Sequence, residues 1–281
     1  MKRTRFLVLT LCLTIFSCSL FLFGACNPNP ATDENYIYFG EYPQTIKADS
    51  VTITETVNEK GYCLGSDNEW YAKVTAKPYS SAYTFTNSAT IKSGTVYYFK
   101  VEPIKWQILS QEEDTLSVVC ASIIANKRYD DSSNNYANSE IRAWLNNEFY
   151  NTAFSDLQKE LIVTTEVDNG LESTCYSSND YICENTYDNV YLLSVREAYF
   201  MDRTWNDSQA RQKMATDYAK AMGVWLGEDT HIGYGWWWLR SPCAALDRGA
   251  VVVGPSGTLE YYSFIYRGDE GVVPALQLMA K

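Results

Sequence analysis

The sequence predicts an α+β fold built on a mixed or antiparallel sheet. Three observations carry this. Strand signals come first, helix signals follow and strands return, with no regular β-α-β alternation. Ile104, Trp106 and Ile108 alternate onto one face, Gln111–Asp114 forms a polar turn, and Leu116–Ala121 runs back as a hairpin partner. Near the end stands Trp236-Trp237-Trp238-Leu239-Arg240-Ser241-Pro242. Neighbouring side chains of a strand point to opposite faces, so this strand needs cover on both sides and belongs in the middle of a sheet.

The elements follow in order. Tyr36–Gly40 is a first strand that Tyr42-Pro43-Gln44 ends. Residues 45–100, rich in Thr, Ser, Tyr and Val, read as short strands inserted in the main domain. Ser139 can cap a helix carrying Ile141, Trp144, Leu145 and Phe149 on one side. Ser155–Gln158 and Ser194–Glu197 are capping-box patterns. Asp207 or Ser208 can start a long helix through Ala210, Met214, Tyr218 and Met222, with Gly223 as its stop. Ala250–Val253, a Gly-Pro-Ser-Gly turn at 254–257 and Leu259–Tyr262 give a late hairpin, and Gly271–Leu278 closes the domain.

The first residues carry an address. Met1–Arg5 is basic, Phe6–Phe23 is apolar, and Phe23-Gly24-Ala25-Cys26 resembles a relaxed bacterial lipobox. The expected division is a leader at 1–25, lipidation at Cys26, a polar tether at 26–35 and one domain at 36–281 with its β-rich insertion at about 45–100. Cys18 is the runner-up cleavage site, and an ordinary leader or uncleaved anchor is the plain alternative. A multiply acylated cysteine holds a chain on a membrane at about 0.8 kcal/mol per buried methylene.

Composition excludes several functions. The formal net charge is -11, a surface that repels phosphate backbones, so no nucleic-acid partner is expected. His231 is the single histidine, which rules out two-histidine zinc sites; no metal and no cofactor are expected. Cys63, Cys120, Cys175, Cys183 and Cys243 follow the anchor cysteine, an odd number. An exported compartment permits a bridge between Cys175 and Cys183 across their short polar loop. Such a closure stabilises by roughly 2.5 kcal/mol in the chain-entropy model.

Several motifs together resemble a bacterial domain of unknown function common in exported proteins of gut and oral anaerobes, spirochaetes included. They are Phe39–Gln44, Pro103–Leu109, Ile141–Phe149, Val190–Ser194, Ala215–Ala221, Trp237–Pro242 and Gly271–Leu276. The resemblance implies a C-type-lectin-like fold, related in plan to formylglycine-generating enzymes and to the variable ligand-binding proteins of diversity-generating retroelements. It places a ligand face among residues 243–270, above Trp237 and Arg240. The family's usual Val-Arg-Pro-Ala ending carries Val273 in place of the arginine here.

The expected function is a surface-anchored lipoprotein, periplasmic or at the cell surface, that binds an extracellular protein or glycan without chemistry. Its candidate contacts are Tyr261, Tyr262, Phe264, Tyr266 and Arg267, residue types enriched at binding hot spots. Arg240 joins them as a candidate, weighed against a structural ion-pair role. Trp205-Asn206-Asp207 has the letters of a lectin calcium triplet but precedes the tryptophan strand, and reads as a helix cap. Asp130-Asp131, Glu228-Asp229 and Asp269-Glu270 read as solvated acidic loops. Two alternatives stand beside this: an exported enzyme of the formylglycine-generating type working through Cys243, and a structural envelope module.

Overall fold

Apolar alternation builds the strands, and the computed structural model describes residues 35–200 and 208–280. The expected lipidation at Cys26, the expected leader and most of the expected tether lie outside the described residues, as do Trp205-Asn206-Asp207 and the expected cap at Asp207. The strands are β1 (Tyr36–Ile46), β2 (Ile53–Val57), β3 (Cys63–Gly65), β4 (Trp70–Thr75), β5 (Val96–Gln111), β6 (Thr115–Cys120) and β7 (Ala125–Asn126). After the central helices come β8 (Ile162–Val163), β9 (Thr165–Val167), β10 (Thr186–Asp188), β11 (Trp237–Pro242), β12 (Gly249–Val253), β13 (Leu259–Phe264), β14 (Gly271–Val272) and β15 (Ala275–Met279). The fold is mixed α and β, and its sheets are mostly antiparallel.

The larger sheet runs β2-β3-β4-β5-β6-β15-β8. Long β5 organises it: β1 lies along one edge, while β4 and β6 pair with the two ends of the other. The first strand is longer than expected. It continues through Pro43, opposite Val101, to Ile46. Proline is tolerated there because the register slips on either side of this stretch. The first slip falls at Gly40, whose φ of 69° suits glycine and where a Cβ would stand 2.5 Å from the Phe154 ring. Residues 45–100 supply β2–β4 and a satellite core of Ala76, Phe85, Ile91 and Phe99, with Ala221. Asp217 ties that segment down. Its carboxylate accepts from Thr86 N (2.9 Å), Thr86 Oγ1 (2.6 Å), Ile46 N (3.2 Å) and Lys220 Nζ (3.1 Å). Asp217→Ala strands the buried Lys220 ammonium and removes the acceptor of the Ile46 and Thr86 donors, so a loss of about 3 kcal/mol is expected in urea unfolding; a change below 1 kcal/mol would contradict this role.

The helices are short. Glu140–Trp144, a π turn at Leu145–Phe149 and Tyr150–Ala153 follow one another, capped by Ser139. Both capping boxes form, at Ser155/Gln158 and at Ser194/Glu197. The expected long helix after 208 does not. Ser208–Arg211 is a single 3-10 turn, and residues 213–215 stay extended because Met214 pairs with Tyr234 and Ala215 with Ile123. The helix begins only at Asp217, capped by Thr216, and stops at Gly223, where φ is 107°. Tertiary pairing has overridden a helical periodicity.

The second sheet runs β13-β12-β11-β14-β7, with the tryptophan strand β11 in its middle. β11 and β12 are buried throughout. Trp106, Trp237 and Trp238 are closed to solvent, and their indole N–H groups donate to Phe39 O (2.7 Å), Arg211 O (3.2 Å) and Lys127 O (2.8 Å). Trp236 differs: it precedes the strand, is half-buried, and stacks on Trp225 at 4.7 Å. Among the described residues no helix is long and apolar enough to cross a membrane.

Candidate functional site

Strand β13 is the outer edge of the second sheet, and its sequence makes it unlike its neighbours. Between Ala250–Ser263 and Val252–Glu260 the register slips by one residue, so Tyr261 and Tyr262 together face Val251. The bulge brings Glu260 and Ser263 onto one side of the strand, although they are three residues apart. It also throws both tyrosines outward: Tyr261 is 76% exposed and Tyr262 47%. Phe264 and Tyr266 continue the row, stacked at 5.4 Å.

Beside this row lies a cavity of about 280 Å³ lined by Trp225, Trp236, Glu260, Tyr262, Arg267 and Glu270, among others. A second hollow of about 430 Å³ continues past the same two tryptophans and Glu260 toward His231. Arg267 is spoken for. Its Nε and Nη2 donate to Asp269 at 3.0 and 2.6 Å, and its guanidinium lies 4.6 Å from the centre of the Trp225 ring. The paired Asp269 raises its pKa further.

Glu270 is the unexpected member. The sequence placed it in a solvated loop, yet its exposure is 0%. Ser263 Oγ donates to its Oε1 at 2.5 Å, and Arg267 Nε stands 3.6 Å away. Its other oxygen, Oε2, is buried with no hydrogen-bond partner. Burial pushes its carboxyl up to about 7, against the pull of Ser263 and Arg267. The bulge that makes Ser263 face inward supplies its support, and nothing in local sequence marks it. Asp130 is likewise buried rather than solvated. Its carboxylate accepts from Ser132 N (2.8 Å) and Ser133 N (3.1 Å), and Glu140 N donates to its other oxygen (3.1 Å). Burial raises the Asp130 carboxyl, and these donors outweigh it and hold it low.

Arg240 is not part of this surface. It is 2% exposed and sits inside the domain. Its guanidinium donates to both oxygens of Glu197, to Leu192 O at 2.8 Å and to Asp168 O at 3.0 Å. Its partners are one half-exposed carboxylate and two backbone carbonyls, none of them on β13. The structure places Arg240 in an ion pair with Glu197, buried and away from the β13 surface.

The cysteines also depart from expectation. All five among the described residues are free thiols, Cys175 and Cys183 included. Cys175 ends the helix Leu171–Thr174 in a left-handed turn and is exposed, whereas Cys183 packs against the main core. Their loop is fixed instead by Asn179, whose Nδ2 donates to Pro242 O at 3.0 Å. Cys243 is buried, and burial pushes the Cys120 thiol up to about 11. Among the described residues no cluster of three or more His, Cys, Asp or Glu side chains could hold a metal ion.

A family model for a domain of unknown function, DUF6273, matches residues 112–280. That range holds β11, β13, Glu270 and both capping boxes, while β1–β5 precede it. No curated protein and no solved structure matches the chain. The chain belongs to the DUF6273 family.

Proposed function

We propose that the protein is a lipid-anchored binding module, C-type-lectin-like in plan, that holds a protein or glycan ligand on the face of β13 without chemistry. The anchor is Cys26, and the place is the outer surface or periplasm of a bacterial cell. The plan is supported by a second sheet whose tryptophan strand lies at the centre and whose edge strand carries the exposed side chains. The observation that carries the function is the row Tyr261, Tyr262, Phe264 and Tyr266, exposed on a sheet edge beside a cavity. Large aromatic side chains gathered in one exposed patch mark an interaction surface, because water pays no return for displaying them. They are also stiff, so little freedom is lost on binding.

The test is an array of glycans and envelope proteins probed with the wild type and with Tyr262→Ala/Tyr266→Ala. The variant is expected to lose tenfold or more in affinity for any ligand found, with its unfolding midpoint unchanged. Binding that survives both substitutions and Tyr261→Ala would remove this face from the function.

A further inference from the structure

We infer that the cavity between β13 and the Trp225–Trp236 pair takes a primary alkylammonium group, carried by a small organic cation or by a lysine side chain. This rests on the reading of the β13 face as the ligand surface and adds the chemistry of the ligand.

The cavity is lined by two carboxylates, Glu260 and Glu270, and by one cation, Arg267. Glu270 is one of its lining residues, and the Glu270 Oε2 atom is buried and has no hydrogen-bond partner. A carboxylate brings no donor of its own, so that oxygen calls for one from outside. Glu260, on the same side of β13 as Ser263, adds a second carboxylate, with its Oε1 taken by Thr258 Oγ1 at 3.0 Å. Arg267, the cation among the lining residues, already spends two of its nitrogens on Asp269. The balance inside is negative, and a ligand that delivers both charge and N–H donors fits it.

The aromatic wall argues in the same direction. Trp225 is stacked by Trp236, by Tyr79 at 5.9 Å and by the Arg267 guanidinium. Trp236 packs on Trp225 and on Gly254, where a Cβ would stand 3.2 Å from the indole. On Trp225 a pyranose ring would have to displace one of these neighbours to stack. An ammonium group needs only the carboxylates, with Tyr262 and Phe264 beside its alkyl stem. The buried Glu270 carboxyl, pushed up by desolvation, is the group such a ligand would return to its charged form.

Titration calorimetry of the full-length protein at pH 8 tests this. Cadaverine represents a free amine, an N-acetylated lysine peptide represents a protein source, and a neutral oligosaccharide is the control. Saturable binding of cadaverine or the peptide is expected, weakened at least tenfold in Glu270→Gln and several-fold in Glu260→Gln; the stronger of the two probes names the source. Glutamine keeps the shape and the acceptor for Ser263, so these variants fold. Amine binding that ignores both substitutions overturns the inference. Oligosaccharide binding lost in Tyr262→Ala/Tyr266→Ala, without amine binding, overturns it while leaving the β13 surface intact. Failure of all three probes also overturns it, and the array then decides the surface on its own.

Discussion

Glu197→Ala is expected to destabilise the domain by about 3 kcal/mol in chemical unfolding at neutral pH. Arg240 is buried at 2% exposure and cannot shed its proton, so removing its partner strands a cation inside the protein. The same change removes the capping-box acceptor of Ser194 N, which Glu197 Oε2 holds at 2.8 Å. The Glu197 side chain is 41% exposed, which keeps the figure at the low end for a broken buried pair. The exposure also predicts an asymmetry. Arg240→Met leaves a carboxylate that water can reach, so its cost is expected to be smaller than that of Glu197→Ala. Equal or inverted costs would contradict the difference in exposure between the two partners. Acid adds a second signature. Burial raises the Glu197 carboxyl, but Arg240 outweighs this and holds it low. A carboxylate with a lowered folded pKa stabilises above its ordinary range and loses that contribution as pH falls through the folded value. The acid limb of the stability curve is expected to flatten in Glu197→Gln.

Glu270 acts in the opposite sense. Its carboxyl is pushed up to about 7, so between its ordinary value and pH 7 the folded state holds a proton that the unfolded chain has released. Stability therefore falls as pH rises through this window and levels off above it. A loss of about 2 kcal/mol between pH 5 and pH 8 is expected from this residue, measured by urea unfolding at each pH. Glu270→Gln removes the slope and is expected to be the more stable protein at pH 8. A wild-type curve that is flat or rising in this window, with the variant parallel to it, would refute the assignment.

Much of the fold was legible because its signals are local. The alternation of Ile104 and Trp106, the cap at Ser139 and both capping boxes depend on residues a few positions apart. The tryptophan strand announced its central place through the cost of exposing it. The exposed tyrosines were readable too, as residue types enriched at binding surfaces. What escaped depends on distant contacts. The helical spacing of Ala210, Met214 and Tyr218 lost to strand-like pairing with Tyr234 and Ile123, which no window of sequence contains. Glu270 looked like half of an acidic pair on a loop, and only a bulge in β13 turns Ser263 toward it. Glu197 and Arg240 were each noticed, as a cap residue and as a strand-end cation. Their partnership spans 43 positions and was invisible.

One short segment, Gly271–Met279, supplies an interior strand to each large sheet. Its first half, β14, lies between β11 and β7, and its second half, β15, lies between β6 and β8. Synthesis delivers it after every strand it joins. Neither sheet can be completed while that segment is still inside the ribosome, at chain growth of roughly 5–20 residues per second. Until it emerges, β7 has no strand joining it to β11 and β8 none joining it to β6, so both sheets close in one late step.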